Sequence, residues 1–165
     1  MTSWPAMERR GPTVTDADVR RFEQRIGAEL PADYRRFLLD VNGGRTAATH
    51  CRFTMRRGAR QVETSLNTLF SLDDPDESRD LATWQLYGED RLPEGLEIGA
   101  DDGGSPVVLV LSGPHRGELW MLDQVDSQPT GSNPRVDWFD RRDMWKLADS
   151  FAEFMASLKP LDAAS

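Results

Sequence analysis

The chain is poor in cysteine and in long apolar runs, and each shortage excludes a class of protein. Cys51 is the only cysteine in 165 residues, so the chain has no internal disulfide and no thiolate cluster for structural zinc. The longest unbroken apolar run is Val107 to Leu111, whereas a membrane-spanning helix needs ~18 such residues. The first residues carry no apolar segment behind their charges, which argues against a signal peptide. We therefore expect a cytoplasmic protein that does not contact a membrane.

The sequence also lacks a group of residues typical of an enzyme. His50 adjoins Cys51, but neighbouring residues of a strand point to opposite faces and cannot form a nucleophile–base pair. His115 would have to reach Cys51 from a distant turn. Cys51 is therefore interpreted as a small buried apolar residue, and no catalytic residue is predicted.

The glycines and acids do not match a phosphate site or a metal site. Gly103 and Gly104 lack the Lys and the following helix of a phosphate-binding loop, and they adjoin two carboxylates. The acids after Leu72 lack the spacing of an EF-hand, and Pro75 interrupts them. The sequence thus predicts no cofactor and no metal ion.

Charge is abundant, and its two signs are separated along the chain. The formal net charge is -8, which disfavours nucleic acid as a partner. Residues 73–102 hold eleven acids and two bases and hence a net charge of -9, whereas residues 45–60 hold five arginines and no acid. We therefore expect a molecule with an acidic sector and a basic sector.

Two helices are predicted near the N-terminus. Thr15 and Asp18 have the spacing of a capping box, Val14 and Val19 that of a hydrophobic staple, and Gly27 is a helix-ending residue. The second helix lies in Leu30 to Gly44, LPADYRRFLLDVNGG. Its apolar residues recur at spacings of three and four, and Asn-Gly-Gly supplies left-handed backbone at its end.

Strands are predicted between these helices and a last helix. The apolar residues alternate from Cys51 to Met55, and Gly58 suits a turn. Val107 to Leu111 is apolar throughout, which is typical of a central strand, and Glu118 to Leu122 is its expected antiparallel neighbour. A short helix capped by Ser78, a further strand at Val136, Trp138 and Phe139, and a last helix capped by Ser150 complete the prediction.

This order of elements predicts an α+β domain, with two N-terminal helices and a C-terminal helix packed on a mostly antiparallel sheet. We expect a single domain at residues 14–160, preceded by a flexible arm at residues 1–13 and followed by a tail at residues 161–165. Four motifs in this order resemble the SMI1/KNR4, or SUKH, family. They are the Leu30 to Gly44 stretch, LPEGLEIGADDGG at 92–104 with the apolar strand after it, GELWMLD at 117–123 and LADSFAEFMASL at 147–158.

The resemblance implies the same fold and a protein without catalytic activity. Bacterial members of the family resemble immunity proteins, which bind a cognate toxin inside the producing cell, and a nuclease toxin would offer the basic surface that an acidic protein fits. Fungal members resemble regulatory scaffolds, so an adaptor with another partner is the alternative. We expect a monomer or a weak homodimer that binds a toxin or another basic protein.

The acids of the acidic sector and two tryptophans are the predicted partner-binding residues. The same acids would serve solubility alone, and the tryptophans would serve packing alone, if no partner bound there. The predicted residues are Asp73, Asp74, Asp76, Glu77, Trp84, Glu89, Asp90, Asp101, Asp102 and Trp138.

Overall fold

A computed structural model describes residues 3–88, 94–123 and 144–161. Its body is a closed barrel in which each strand runs antiparallel to the next, and the last strand returns to the first through the pair Arg56 and Lys146. The barrel strands are β3 (Arg52–Arg57), β4 (Arg60–Leu69), β5 (Gly95–Asp101), β6 (Pro106–Val110), β7 (Leu119–Leu122) and β8 (Met144–Ala148). The other elements are strands β1 (Met7–Glu8) and β2 (Arg45–Thr46) and helices α1 (Asp16–Ile26), α2 (Ala32–Asp40), α3 (Leu81–Gly88) and α4 (Phe151–Ser157).

The predicted α+β class and the antiparallel sheet are confirmed, and the sheet closes on itself. The register shifts between Leu66 and Thr68, between Glu97 and Gly99 and between Leu119 and Trp120. Such irregularities increase the twist of a strand and bend it, which lets a short antiparallel sheet curl into a barrel. The sequence pattern predicted strands in this sheet, but it predicted neither β8 nor the closure of the sheet.

The two N-terminal helices form as predicted. The Thr15 hydroxyl accepts a hydrogen bond from the Asp18 N–H at 3.2 Å, and the Asp18 carboxylate accepts one from the Thr15 N–H at 2.8 Å, so the capping box is complete. Gly27 ends α1 in the left-handed region at φ 69°. Helix α2 buries Tyr34 and Phe37 against Phe151 of α4, which anchors the C-terminal helix beside it.

Asn42 is the structural reason for the Asn-Gly-Gly motif after α2. Its φ is 61°, and its side chain is 1% exposed. The amide donates to the carbonyl oxygens of Pro12 at 2.7 Å and Leu72 at 2.9 Å, and it accepts the Leu72 N–H at 2.8 Å. A Cβ at the following Gly43 would overlap Ser71. This buried amide therefore joins the first residues, the end of α2 and the segment after β4.

The described part of the N-terminal arm, residues 3–13, packs on the domain, where the sequence predicts a loose segment. Strand β1 pairs with β2, the Gly11 N–H donates to the Asn42 carbonyl at 3.0 Å, and the Trp4 indole meets Phe37 edge-on at 5.4 Å. The Trp4 N–H also donates to the Asp40 carboxylate at 3.0 Å. These partners lie more than 30 residues away, so no local pattern revealed them. The predicted domain boundaries themselves stay a prediction.

Among the remaining elements, the prediction for β6 is confirmed, the predicted cap of α3 is wrong, and β8 was not predicted. Strand β6 is buried along its whole length between β5 and β7, as expected of the run from Val107. Helix α3 is capped by Asp80, whose carboxylate accepts the Thr83 N–H at 3.0 Å, and not by Ser78. Strand β8 was not predicted, and the strand expected at 136–139 lies outside the described residues. No helix among the described residues is long and apolar enough to cross a bilayer.

Candidate protein-binding surface

The loop between β4 and α3, residues 73–77, carries four of the predicted partner-binding acids, and we call it the acidic loop. Its two ends are tied together, because the Ser71 N–H donates to the Arg79 carbonyl at 2.9 Å and the Leu81 N–H donates to the Ser71 carbonyl at 2.8 Å. Asn42 fixes the residue just before the loop, Leu72. The chain between β4 and α3 therefore leaves the barrel and returns at one fixed point.

Two acids between β4 and α3, Asp74 and Asp80, accept backbone hydrogen bonds that hold the acidic loop in shape. The Asp74 side chain is 1% exposed, and its carboxylate accepts the Asp76 N–H at 2.9 Å and faces the Arg79 guanidinium at 3.4 Å. Asp80 accepts the Asp74 N–H at 3.2 Å with one oxygen while its other oxygen caps α3. Asp74 was predicted to bind a partner, but its carboxylate is turned inward and holds the loop in shape.

Three acids of the loop face solvent, namely Asp73, Asp76 and Glu77. The Ser78 hydroxyl donates to the Asp76 carboxylate at 2.6 Å and the Ser78 N–H donates at 3.0 Å, and these bonds hold the pKa of Asp76 below its usual value. Asp76 is consequently ionised throughout the neutral range. The loop presents fixed negative charge on an ordered backbone.

Trp84 lies against the same loop. Its indole stacks on Phe70 with ring centroids 5.0 Å apart and planes 4° from parallel, and its N–H donates to the Ser78 carbonyl at 2.9 Å. The ring is half-buried, and its N–H is bonded to the residue that directly follows the acidic loop. The structure thus places Trp84 next to the end of the acidic loop, and binding of a partner by these residues stays a prediction.

Asp101 and Asp102 lie elsewhere, at the end of β5. The Asp101 carboxylate accepts the N–H groups of Gly103 at 3.0 Å and Ser105 at 2.8 Å and the Thr64 hydroxyl at 2.9 Å, so it shapes the turn and is only 7% exposed. Asp102 is exposed, and its N–H donates to the Ser65 carbonyl. Strand β4 continues from Ser65 to Leu69, about 13 Å at ~3.3 Å per residue, before the chain reaches the acidic loop. Among the described acids, Asp102 therefore lies on a surface separate from the acidic loop.

A sequence comparison identifies the family of this chain. The model of the SMI1 / KNR4 family (SUKH-1) matches residues 13–157. The chain belongs to this family. A comparison with curated proteins found no match. Proteins of the SUKH family are generally non-catalytic. The match begins just before α1 and ends at the last residue of α4.

Three predicted binding residues of this SUKH-1 domain, Glu89, Asp90 and Trp138, lie outside the described residues. The acidic loop with Trp84 is therefore the part of the predicted surface whose geometry can be stated. It is the candidate binding surface of this domain.

Cys51 of the SUKH-1 domain is not arranged as a nucleophile. Burial raises the pKa of its thiol, and the nearby Asp102 carboxylate raises it further. The thiol donates to the Ala48 carbonyl at 3.6 Å, while the neighbouring His50 ring contacts the Thr49 hydroxyl at 3.0 Å. Over the described ranges, no group of three or more side chains of the metal-ligating types is close enough to hold an ion.

One charged cluster was not predicted from the sequence. It is centred on Glu118, the residue immediately before β7. Its carboxylate accepts from His115 at 2.8 Å, from the Trp120 indole at 2.9 Å and from Lys146 at 3.3 Å. Burial raises the pKa of Glu118, but these three donors outweigh it and leave the pKa below its usual value. Lys146 lies 28 residues away on β8, so no local pattern indicates the cluster. It fastens β7 to β8 in this SUKH-1 domain.

Proposed function

We propose that this SUKH-1 domain is a non-catalytic immunity protein that binds a cognate toxin and blocks it. One observation carries the proposal: the three exposed carboxylates of the acidic loop stand on a backbone that Asp74, Asp80 and Asn42 already hold in place. Binding therefore requires little ordering of the loop, and a surface that is ordered in advance loses less free energy on association.

The chemistry of the loop specifies the partner's surface. Negative charges fixed at neutral pH attract a basic surface and accelerate its encounter. A nuclease toxin is basic where it grips phosphate, so the carboxylates of the loop would occupy the same positions that phosphates take. Trp84 at the border of the loop supplies apolar contact area of the type that anchors protein interfaces. The proposal requires that the two proteins meet in the cytoplasm of the producing cell.

Co-expression tests the proposed immunity directly. The chain is expressed in cells together with the toxin domain encoded beside its gene, and growth is measured against cells that express the toxin alone. We expect growth to be restored and a stoichiometric complex to be recovered by size-exclusion chromatography. A stable complex without restored growth would favour the adaptor function, and neither complex nor growth would refute binding of this toxin.

Charge reversal tests the surface. The triple variant Asp73→Lys, Asp76→Lys and Glu77→Lys should slow association by about tenfold or more and flatten its dependence on salt. Asp102→Lys is the matched control, because it reverses an exposed acid on the separate surface. Association that is slowed by the control and not by the triple variant would place the interface at the end of β5.

A further inference from the structure

The turn end of the β3–β4 hairpin, residues 56–63, projects from the barrel, and we call it the basic hairpin. All of its residues except Arg57 are exposed, and Val62 is 38% exposed. Strand β4 reaches β5 only at Leu66 and beyond, and strand β3 meets β8 at Arg56. On the side of β4, the hairpin therefore extends past its neighbour β5, whereas β8 reaches it at Arg56.

Its cations are placed opposite one another. Arg57 lies across from Arg60 in the hairpin, and Arg56 lies across from Lys146 of β8. Like charges that face each other across strands destabilise a sheet. Lys146 is paired with Glu118 and Asp149, but over the described ranges neither Arg56 nor Arg60 has a carboxylate within ion-pair distance. The Arg60 guanidinium lies over the Trp145 ring at 5.4 Å. Among the described residues, the charges of Arg56 and Arg60 are therefore not neutralised by a carboxylate.

Backbone groups on one edge of the hairpin pair with no strand of the described chain. The Leu66 N–H bonds to the Cys51 carbonyl on the side of β3, whereas the Ser65 carbonyl accepts from Asp102 on the opposite side. Backbone groups alternate in direction along a strand, so the N–H and C=O of Gln61 and Glu63 face away from β3. In the described part of the chain no strand pairs with them there. Within residues 3–88, 94–123 and 144–161, the outer edge of β4 is thus unpaired along the basic hairpin.

We propose that this edge binds an extended acidic segment of another protein as an added strand. The outward backbone groups of Gln61 and Glu63 would supply the main-chain hydrogen bonds of strand addition, and the arginines would select carboxylate side chains beside them. This surface is distinct from the acidic loop and opposite in charge, so the inference does not rest on the proposed immunity function.

Two other occupants fit the hairpin less well. Nucleic acid would meet a chain of net charge -8, and the aromatic ring that Arg60 contacts, Trp145, is 2% exposed and offers no face for base stacking. A second copy that paired through the same edge would bring arginines against arginines. An acidic protein segment meets neither obstacle.

A fluorescein-labelled peptide of alternating Glu and Thr residues is the probe, and its binding is measured by fluorescence anisotropy. We expect Arg56→Gln with Arg60→Gln to weaken binding by about tenfold, and added salt to weaken it likewise. Gln61→Pro removes an outward N–H while leaving the bonds between β3 and β4, so it should weaken binding by about fivefold or more. Gln61→Thr is the matched control and should bind as the parent does.

A second measurement leaves the protein unchanged. The same peptide with N-methyl groups on alternate residues keeps its charges but loses half of its backbone donors, and it should bind at least about fivefold more weakly. Equal binding of the two peptides, or binding unaffected by Gln61→Pro in a folded variant, would overturn strand addition. Failure of the probe to bind, or tighter binding of oligodeoxythymidine, would overturn the acidic protein segment as the ligand.

Discussion

The acidic loop and the basic hairpin are both dense in charge, but the fold treats them in opposite ways. In the loop, Asp74 and Asp80 turn inward and accept backbone hydrogen bonds, so part of the charge builds the loop. In the hairpin, Arg56 and Arg60 point at no carboxylate of the described chain and face other cations. Charge density in a sequence therefore says little about what a charge does until its partners are known.

The comparison predicts that substitutions in the loop's supports change stability greatly, whereas substitutions of the hairpin's cations change it little or favourably. A stabilising substitution in the supports of the loop, or a strongly destabilising loss of a hairpin cation, would contradict this difference between the two regions.

The largest effect is expected for Asn42→Ala, which removes the anchor of the acidic loop. The carbonyls of Pro12 and Leu72 and the Leu72 N–H would lose their partner in a buried site, and alanine tolerates positive φ poorly. We expect the free energy of unfolding to fall by about 3 kcal/mol or more, measured by chemical denaturation. Asn67→Ala, in β4, is the control and should cost less than about 1 kcal/mol. Equal costs would mean that the amide does not organise this region.

Asp74→Ala should have the next largest effect. The half-buried Arg79 guanidinium and the Asp76 N–H would both be left without the buried Asp74 carboxylate, which should cost about 2 kcal/mol. The variant should also bind a partner of the acidic loop more weakly, although its exposed acids are unchanged, because the loop is no longer ordered. Glu77→Ala, an exposed acid of the same loop, is the control for stability. A variant as stable as this control would show that Asp74 does not support the loop.

Low pH should remove the stability that the Glu118 cluster contributes to the fold. The pKa of Glu118 is lower in the folded state than in the unfolded chain, so the folded state binds fewer protons. Its contribution to stability is therefore complete above about pH 4.3 and is lost as the pH falls through the folded value. We expect Glu118→Gln to lower the thermal midpoint near pH 7 and to differ less from the parent near pH 3. The exposed Glu8→Gln should show no such pH-dependent difference.

The smallest effect, with the opposite sign, is expected for Arg56→Glu. The substitution places an acid opposite Lys146 in an exposed position, so the free energy of unfolding should stay equal or rise by about 0.5 kcal/mol. Arg52→Glu is the contrast on the same strand, because Arg52 pairs with Glu63 and its loss should be destabilising. A clear loss of stability in Arg56→Glu would show that this arginine serves the fold.

Local signals predicted the local structure well. Thr15 with Asp18, Gly27, and Asn42 with its two glycines have the conformations that their residue types predict, because a cap or a left-handed turn depends on neighbours within a few residues. The run from Val107 predicted a central strand for a similar reason, since full burial requires apolar residues on both faces.

Pairings between distant residues were not predictable from one sequence. Strand β8 was missed because its neighbours on both sides are set by barrel closure, not by its own pattern. In the candidate surface, the inward turn of Asp74 and Asp101 was not predicted, because it depends on hydrogen-bond partners that the sequence pattern does not show. The sequence does not distinguish an aspartate whose carboxylate accepts backbone N–H groups from an aspartate whose carboxylate faces solvent.

The contact of Trp4 with Phe151 also has a consequence for synthesis of the chain. The two rings lie 5.6 Å apart, although one precedes α1 and the other begins α4, and the Lys159 backbone likewise bonds to that of Arg52. A ribosome delivers Trp4 long before Phe151, so the core cannot be completed until Phe151 has been synthesised. Contacts of such long sequence separation slow folding, because the intervening loop must close first. The finished domain consequently forms only after the last helix has left the exit tunnel.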